Sequence, residues 1–411
     1  LPYSNEANKQ IYVYTGENTD LTFKGTDENE VKDLYLRGPG DVTWNNADKY
    51  GFTTGKVEDG AVTGEGSVSE DKRTATIKMT GVTTLKAPNN WTSYLVSKDN
   101  DGKLSNTDFR ALDKDPNARQ KPGYVQFIVK NQTSKYDIAA PTEKVAVADP
   151  ANVTEDDLAK IKEKLQLEYN KNNDDANISK DSPVTDKDSK IKSLTKDADG
   201  NLVVTYTDGS TDKRPLSEFV TLDKQPAIEA VEKAAEAQIA AINNTPNATD
   251  AEKTVAIAKV NADKEKALAE IAKPEVTTKE AVDAAKTAGT GEIAKENPVA
   301  KEAAKKAIDD ALKAKEAEIA GRDDLTNEEK DAAKAEAKKL ADAQLAEIAK
   351  QPDVAATPEA AATAQTAVDG AKDKGVADVT AVNPAAAKKP EAKKAIDDAL
   401  KAKEAAIDAR T

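Results

Sequence analysis

The sequence predicts several domains in one chain: an N-terminal β-sandwich, a small α/β module, and then tandem three-helix bundles that form an elongated rod. All seventeen aromatic residues lie at or before Phe219, and no Phe, Tyr, Trp, His, Cys or Met occurs from Ala227 to Thr411. Within that second stretch, the block Lys305–Arg322 returns with few changes as Lys393–Arg410. A unit that recurs with so few reactive side chains is typical of helical repeat arrays rather than of catalytic domains.

Residues 1–138 are expected to form an immunoglobulin-like or related β-sandwich. Short runs of β-branched and aromatic residues are separated there by Gly, Asn, Asp and Pro turn signals. The spacing of the turns is that of a sandwich rather than of βαβ units. The predicted strands are Ile11–Tyr14, Leu21–Phe23, Val31–Leu36, Val42–Trp44, Ala75–Met79, Tyr94–Val96 and Tyr124–Val129.

Residues 139–224 are expected to form a small module of mixed type. An alternating strand at Lys144–Ala148 precedes a helix whose N-cap is Thr154, because acidic residues fill the first turn after it. Two strands, Lys190–Leu194 and Leu202–Tyr206, are joined by an Asp-Gly turn. The apolar stripe expected on the helix consists of Leu158, Ile161, Leu165 and Tyr169.

From residue 225 the pattern is helical. Two near-complete copies of one repeat align at 225–298 and 299–384, and a third copy begins at 385–411. Each copy has three helices, separated by breaks that contain Asn, Gly or Pro. Ala at many inward positions lets the helices approach closely but buries little apolar area. The expected helix starts are Thr249 with Glu252, Thr277 with Glu280, Thr326 with Glu329, and Thr357 followed by Pro358.

The composition argues against several classes of function. The formal net charge of −14 argues against nucleic acid or an anionic membrane as the main partner. The absence of Cys and His removes thiol nucleophiles, imidazole bases and the usual zinc ligands, so we expect no enzyme and no cofactor. No apolar run is long enough to span a bilayer, so no membrane insertion is expected in this segment. No signal segment begins at Leu1, and we expect a longer parent chain.

The candidates for ligand binding are aromatic residues of the first domain: Trp44, Tyr50, Trp91 and Tyr94. Aromatic side chains anchor both hydrophobic cores and binding surfaces, so a core position is the alternative for each. The Asp-Gly turns at 99–102 and 197–201 are either plain hairpin turns or partial Ca²⁺ sites, although neither fits an EF-hand loop. We predict no catalytic residue, because the adjacent carboxylates of the repeat helices point in different directions.

Three sets of motifs carry a resemblance to surface proteins of Gram-positive bacteria. Tyr206–Asp212 resembles the common core of Rib-type modules, in which a Pro follows the Tyr where this chain has a Thr. The helical copies, through Ile242–Asp250 and Ala284–Gly289, look like the Ala-rich three-helix repeats of staphylococcal and streptococcal wall-anchored proteins. The segments Ile11–Gly16 and Tyr94–Gly102 are similar to the Ig-like domains that precede such modules.

The resemblance implies an LPxTG wall-anchored adhesin on the outside of the bacterial cell. A signal peptide upstream, further repeats downstream and covalent peptidoglycan anchoring through a missing C-terminal region are then expected. The expected partner is a host extracellular-matrix protein, a plasma protein or a surface glycan, which the N-terminal β-domain binds while the other modules act as a stalk. The alternative is a purely structural spacer whose binding head lies elsewhere. A third interpretation, a carbohydrate-active enzyme, lacks a convergent acid pair.

Overall fold

The computed structural model describes residues 9–38, 46–104 and 123–410. Residue contacts divide the chain into two compact units, Leu1–Thr221 and Leu222–Thr411. The first unit is rich in β-strands, and the second consists mainly of helices. This arrangement confirms the fold class that the sequence predicts.

Two β-sheets form the N-terminal part of the first unit. Their strands are β1 (Lys9–Tyr14), β2 (Thr19–Thr26), β3 (Val31–Arg37), β4 (Phe52–Thr54), β5 (Lys56–Glu58), β6 (Ala61–Thr63), β7 (Gly66–Val68), β8 (Thr74–Gly81), β9 (Asn89–Asp99) and β10 (Tyr124–Lys130). The larger sheet has the order β1-β10-β9-β3-β5-β6, and the smaller has the order β2-β8-β4 with β7 also on β8. β1 runs parallel to β10. The predicted strand Val42–Trp44 lies outside the described residues.

The two sheets share one hydrophobic core. Phe23 and Ile77 enter it from the smaller sheet, and both are 0% exposed. Leu34 and Phe127 enter it from the larger sheet with the same burial. Because successive strand residues point to opposite faces, β1 buries Val13 in this core and directs the tyrosines on either side of it outward. The outer face of β1 therefore carries two aromatic side chains.

The rest of the first unit is a smaller α/β module with a core of its own. Its elements are β11 (Tyr136–Ile138), β12 (Val145–Val147), α1 (Glu155–Lys164), β13 (Leu167–Tyr169), β14 (Ile191–Lys196), β15 (Asn201–Tyr206), β16 (Thr211–Pro215) and β17 (Val220–Leu222). β14, β15 and β16 form an antiparallel sheet, and β11 pairs with β13. The predicted N-cap is confirmed, because Thr154 and Asp157 form a reciprocal capping box at the start of α1.

The predicted apolar stripe of α1 is wrong at its last member. Leu158, Ile161 and Leu165 are buried as expected. The chain leaves the helix at Leu165, whose ψ angle is 137°. Tyr169 therefore lies on β13, opposite Tyr136 of β11. Pairing with a strand that is distant in sequence has overridden the helical periodicity here.

The second unit contains two three-helix bundles and a further helix in its described residues. The helices are α2 (Gln225–Asn243), α3 (Asp250–Ala272), α4 (Lys279–Ile293), α5 (Glu302–Ala320), α6 (Asn327–Lys350), α7 (Pro358–Ala381) and α8 (Lys388–Asp408). A two-residue antiparallel ladder, β18 (Asn297–Pro298) with β19 (Val354–Ala355), joins the bundles. Tandem three-helix repeats are thus confirmed.

Most of the predicted helix starts are confirmed. Thr249 and Thr326 each form a capping box with the glutamate three residues later, and Pro358 occupies the first turn after the N-cap Thr357. The prediction for α4 is one residue early, since the N-cap is Thr278 rather than Thr277. Two adjacent threonines compete for this position, and only Thr278 accepts the N–H of a residue three positions on.

Glycine permits close helix contact in each bundle. A Cβ atom on Gly289 of α4 would lie 2.3 Å from the Cβ of Ala267 of α3. At the equivalent place in the second repeat, a Cβ on Gly375 of α7 would lie 2.8 Å from Cδ1 of Ile308. Both bundles therefore pack two helices closely at one glycine, as the small inward residues predict.

Candidate functional site

Two of the predicted aromatic candidates lie together in the sandwich. The ring centroids of Tyr50 and Trp91 are 5.0 Å apart. Trp91 is 5% exposed and stacks on Phe127 at 4.4 Å, so it is a core residue. Tyr50 is half-buried against the same core. Ligand binding at these positions stays a prediction, and Trp44 lies outside the described residues.

Tyr94 occupies a different place. Its neighbour Leu95 points into the sandwich core, whereas Tyr94 packs on the other face of the larger sheet with Val96 and Tyr124. The rings of Tyr94 and Tyr124 meet edge to face at 5.6 Å. Tyr94 is 5% exposed. The three candidates that the structure describes therefore do not converge on one surface, and binding at Tyr94 also stays a prediction.

The Asp-Gly turns show the geometry of hairpin turns. Oδ1 of Asp99 accepts the backbone N–H of Lys103 at 2.7 Å. Oδ1 of Asp197 accepts the N–H groups of Asp199 and Asn201 at 3.0 and 2.9 Å. Each carboxylate therefore holds its own turn closed. This geometry is that of a plain hairpin turn, the first of the two alternatives for both segments.

The outer face of β1 is covered by the loop that follows β13. The hydroxyl of Tyr14 donates to Oδ2 of Asp175 at 3.3 Å and accepts from Nδ2 of Asn173 at 2.9 Å. All three side chains are buried. Burial raises the pKa of Tyr14 well above its usual value, so its phenol stays protonated and acts as a donor. This loop thus binds the first strand of the sandwich through polar contacts.

Asp208 fixes the joint between the sandwich and the α/β module. Its Oδ2 accepts hydrogen bonds from the Thr15 hydroxyl at 2.6 Å and from the Gln132 N–H at 2.8 Å. In return, Oε1 of Gln132 accepts the N–H of Asp208 at 2.8 Å. Burial alone would raise the pKa of Asp208, but the hydrogen bonds, including those from Ser210, outweigh it and hold the pKa below its usual value. Asp208, the first of the two aspartates in the Tyr206–Asp212 motif, therefore connects the sandwich to the α/β module.

Glu17 makes a second cluster at the same joint. Its carboxylate accepts hydrogen bonds from the hydroxyl of Tyr136 and from Nε2 of Gln132. It also pairs with Lys135, whose Nζ lies 4.8 Å from the centroid of the Tyr14 ring. This ammonium is attracted by both the carboxylate and the aromatic face. The loop after β1 is therefore held from several directions.

A cavity of about 530 Å³ opens beside this joint. Its apolar walls come from Ile11, Leu21 and Ile178, and its polar lining comes from both modules. The polar residues are Tyr12, Tyr14, Glu17, Asn18, Thr19, Asp20, Lys135, Asp175 and Asn177. Polar residues outnumber the apolar ones, so the cavity offers a ligand mainly hydrogen-bonding groups.

The lining of the cavity is negatively charged. It has three carboxylates, Glu17, Asp20 and Asp175, and one ammonium, that of Lys135. Glu17 pairs with Lys135, and Asp20 pairs with Lys78 at 3.1 Å. In the described part of the chain, none of the ion pairs involves Asp175. This carboxylate is 6% exposed and is held instead by hydrogen bonds from uncharged groups.

In the second unit, one carboxylate joins the first repeat to the second. Oε2 of Glu252 accepts the N–H of Thr249 at 2.8 Å, which closes the capping box of α3. Its Oε1 accepts the N–H groups of Lys301 and Glu302 at 2.8 and 3.1 Å, at the start of α5. Lys301 is the N-cap of α5 and makes no side-chain cap bond. Glu252 therefore caps two helices that belong to different repeats.

The same bridge recurs at the next joint. Oε2 of Glu329 accepts the N–H of Thr326 at 2.9 Å. Its Oε1 accepts the N–H groups of Ala387 and Lys388 at 3.0 and 2.8 Å, at the start of α8. Backbone hydrogen bonds lower the pKa of Glu329 to about 2, so the bridge is ionised near neutral pH. Two successive joints thus have the same geometry.

Sequence reasoning identifies these glutamates as local caps and misses their second role. A signal was available: the N-cap positions of α5 and α8 hold Lys301 and Ala387, and neither Lys nor Ala is a favoured N-cap residue. A helix without its own cap needs acceptors from elsewhere for its first N–H groups. Asp175 and the cavity had no comparable signal, because residues 170–178 have no regular pattern.

These features define a multidomain protein in which a β-rich unit precedes Ala-rich helical repeats with matching joints. Residues 223–300 match the family model "Domain of Unknown Function (DUF1542)", a domain found in Gram-positive surface proteins. This match covers the first helical repeat. No curated protein matches the sequence at a significant level.

Several solved structures of streptococcal adhesins are distantly similar. The sialic acid binding region of an adhesin from Streptococcus sanguinis SK1 is 18% identical, with a TM-score of 0.35; the match covers 54% of this chain and 48% of that one. This chain therefore spans about half the length of that structure. The SrpA adhesin from Streptococcus sanguinis is 16% identical, with a TM-score of 0.34; the match covers 54% of this chain and 94% of that one. These scores are too low to support an inference about this chain.

Within the described residues, no helix is both long and apolar enough to cross a membrane.

Proposed function

We propose that this chain is a non-enzymatic segment of a bacterial cell-surface adhesin. In this proposal the first unit binds a host extracellular-matrix protein, a plasma protein or a surface glycan, and the helical repeats act as a stalk. The observation that carries the stalk part of this proposal is the repeated carboxylate bridge, in which Glu252 and Glu329 each connect one repeat to the next.

The bridge supports a spacing role for physical reasons. The first N–H groups of a helix have no partner within the helix. Because Glu252 supplies an acceptor for the first N–H groups of α5, the folded first repeat stabilises the start of the second. Coupling between neighbours is what stabilises a linear array of small repeats. A stalk of small repeats depends on such joints between neighbours.

The first unit is better suited to ligand recognition. Aromatic residues anchor protein and ligand interfaces, and all of them in this chain lie at or before Phe219. The cavity beside the joint also belongs to this unit, and it combines tyrosine, amide and carboxylate groups with apolar walls. Both features support a binding role for the β-rich part of the chain.

The proposal includes the finer assignments that the sequence resemblance implies. An Ig-like domain at 1–138 precedes a Rib-like module at 139–224, and repeats follow at 225–298, 299–384 and 385–411. The intact protein is then held covalently on peptidoglycan through an LPxTG signal outside this segment. The match to DUF1542 supports a location on the cell surface.

A second candidate function is a purely structural spacer whose binding head lies elsewhere. The repeated bridge favours this candidate as strongly as the first, because it concerns the stalk alone. The two candidates differ only in whether the first unit has a ligand.

The test is binding of the full chain to an array of host matrix proteins, plasma proteins and glycans. The chain would be immobilised through its C-terminus, and soluble chain would serve as competitor. Saturable binding that the soluble chain abolishes is the expected result for an adhesin segment. An absence of binding to every probe on the array would contradict the adhesin proposal and leave the structural spacer.

A further inference from the structure

We propose that the cavity between the sandwich and the α/β module binds an uncharged saccharide, with Asp175 as the acceptor for its hydroxyl groups. The inference rests on the adhesin function proposed above and names the ligand class of its first unit. It concerns the cavity lined by β1, the loop after it, the start of β2, Lys135, Asp175, Asn177 and Ile178.

Asp175 has acceptor capacity that its neighbours leave unused. Its Oδ1 accepts the N–H of Asn177 at 3.0 Å and the Nδ2 of Asn177 at 3.1 Å. Among the described residues, Oδ2 accepts one hydrogen bond, a long one of 3.3 Å from Tyr14. An ionised carboxylate has about four acceptor positions. A nearly buried carboxylate beside a cavity is therefore available for a ligand that donates hydrogen bonds.

The charge of the lining selects against anionic ligands. Glu17, Asp20 and Asp175 line the cavity, and Lys135 is its single cationic side chain. Lys135 is already paired with Glu17. A sialylated or sulfated sugar would bring a further negative charge to this partly desolvated place, where like charges repel strongly. An uncharged sugar avoids that repulsion.

The uncharged groups of the lining favour a sugar over a basic peptide. Asn18 offers an amide that both donates and accepts, and Asn177, whose Nδ2 donates to Asp175, still offers its amide oxygen as an acceptor. Sugar hydroxyls likewise both donate and accept, whereas the side chains of Lys and Arg only donate. A basic side chain would satisfy Asp175 but could not accept a hydrogen bond from the amide of Asn18. The volume of about 530 Å³ lies within the usual range for small-ligand sites.

The experiment uses the full chain on an array of neutral, sialylated and sulfated glycans, followed by solution titration. N-acetyllactosamine and its 3′-sialylated form are a matched pair of probes that differ in one charged sugar. The variants are Asp175→Asn, which removes an acceptor, and Asn18→Ala at an exposed position of the lining. Asp101→Asn, in an exposed turn of the same sandwich, is the matched control.

We expect neutral glycans to bind and their sialylated or sulfated forms to bind more weakly. Asp175→Asn should weaken binding by about tenfold or more, Asn18→Ala by about two- to tenfold, and Asp101→Asn not at all. Unchanged binding in both cavity variants would overturn the cavity site but leave the adhesin function. Binding restricted to anionic glycans, or competition by an oligolysine peptide alone, would overturn the ligand class. No binding to any glycan or host protein would overturn the adhesin function itself.

Discussion

The hydroxyl of Thr15 donates a hydrogen bond of 2.6 Å to Oδ2 of Asp208, across 193 positions of sequence. The same oxygen accepts the backbone N–H of Gln132. Close packing of the two backbones accompanies these bonds, since a Cβ on Gly16 would lie 2.9 Å from the Cβ of Asp208. One aspartate thus connects the loop after β1, the segment after β10 and the turn after β15. The sandwich and the α/β module are joined by built contacts rather than by a free linker.

Replacing Asp208 with Ala should loosen this joint. The variant removes the acceptor of the Thr15 hydroxyl and of the Gln132 N–H, so we expect a loss of about 1–3 kcal/mol in the free energy of unfolding. Urea unfolding followed by tryptophan fluorescence reports on the sandwich, because Trp91 lies in its core. Asp199→Ala, in an exposed turn of the same module, is the control and should change little. Equal stability of both variants would show that Asp208 does not hold the joint.

Two glycines of α4 provide a paired test of helix packing. Gly289→Ala should destabilise the first bundle by about 1–3 kcal/mol, because the new Cβ would lie 2.3 Å from that of Ala267. Gly291→Ala, two residues later, has no atom within 4 Å of its new Cβ. It should stabilise the bundle by up to about 1 kcal/mol, since Ala has the higher helix propensity. Thermal unfolding followed by circular dichroism measures both, and shifts of the same sign would contradict the packing described.

The bridge at Glu252 should couple the two bundles. Glu252→Ala removes the acceptors at the starts of both α3 and α5, and we expect the free energy of unfolding to fall by about 1–3 kcal/mol. Urea unfolding followed by circular dichroism should also become less cooperative, because the two repeats would unfold separately. Glu236→Ala, on an exposed face of α2, is the control and should leave both properties unchanged. Retained cooperativity in Glu252→Ala would argue against the bridge as the coupling element.

Asp212 should give the α/β module a measurable pH dependence. Burial is the main reason that the pKa of Asp212 is raised to about 6. The hydrogen bond from Tyr206 lowers this pKa, and the nearby charge of Asp137 raises it further. Because the folded pKa exceeds the unfolded value, the folded state holds the proton more tightly, and stability falls as pH rises from about 4 to 6.

Asp212→Asn removes this charge and keeps an acceptor for the Tyr206 hydroxyl. Its stability relative to the unsubstituted chain should therefore increase between pH 4 and 6 and stay constant above. After allowance for solvent screening, the gain should be about 1 kcal/mol. The measurement is urea unfolding of both proteins at several pH values. A difference that does not vary with pH would show that Asp212 is ionised equally in both states.

Most local elements could be predicted because their signals are local. Alternating β-branched and aromatic residues indicate β1 and β10, and the Thr–Glu pairs indicate the starts of α3 and α6. The error at Tyr169 has a different origin. Its spacing continues the apolar stripe of α1, but pairing with Tyr136 of β11 places it on a strand. Periodicity alone cannot weigh a partner that lies more than thirty residues away.

The joints and the cavity could not be predicted for the same reason. The sequence places Asp208 in the Tyr206–Asp212 motif, yet its partner Thr15 is selected by the packing of two modules. The sequence also indicates Glu252 as a local cap, while its contact with Lys301 depends on the position of the next repeat. Of the aromatic candidates, Trp91 belongs to the sandwich core. A core position is the alternative to ligand binding that the sequence leaves open for each candidate.

In the proposed function, the first unit binds the ligand while the helical repeats provide spacing. Hydrogen exchange of the full chain, with and without a ligand returned by the binding array, tests this division most directly. We expect added protection in β1, in the loop after it and at residues 170–178, with exchange in α2 to α8 unchanged. Protection confined to the helical repeats would contradict the account, since it would place the binding surface on the part assigned to the stalk.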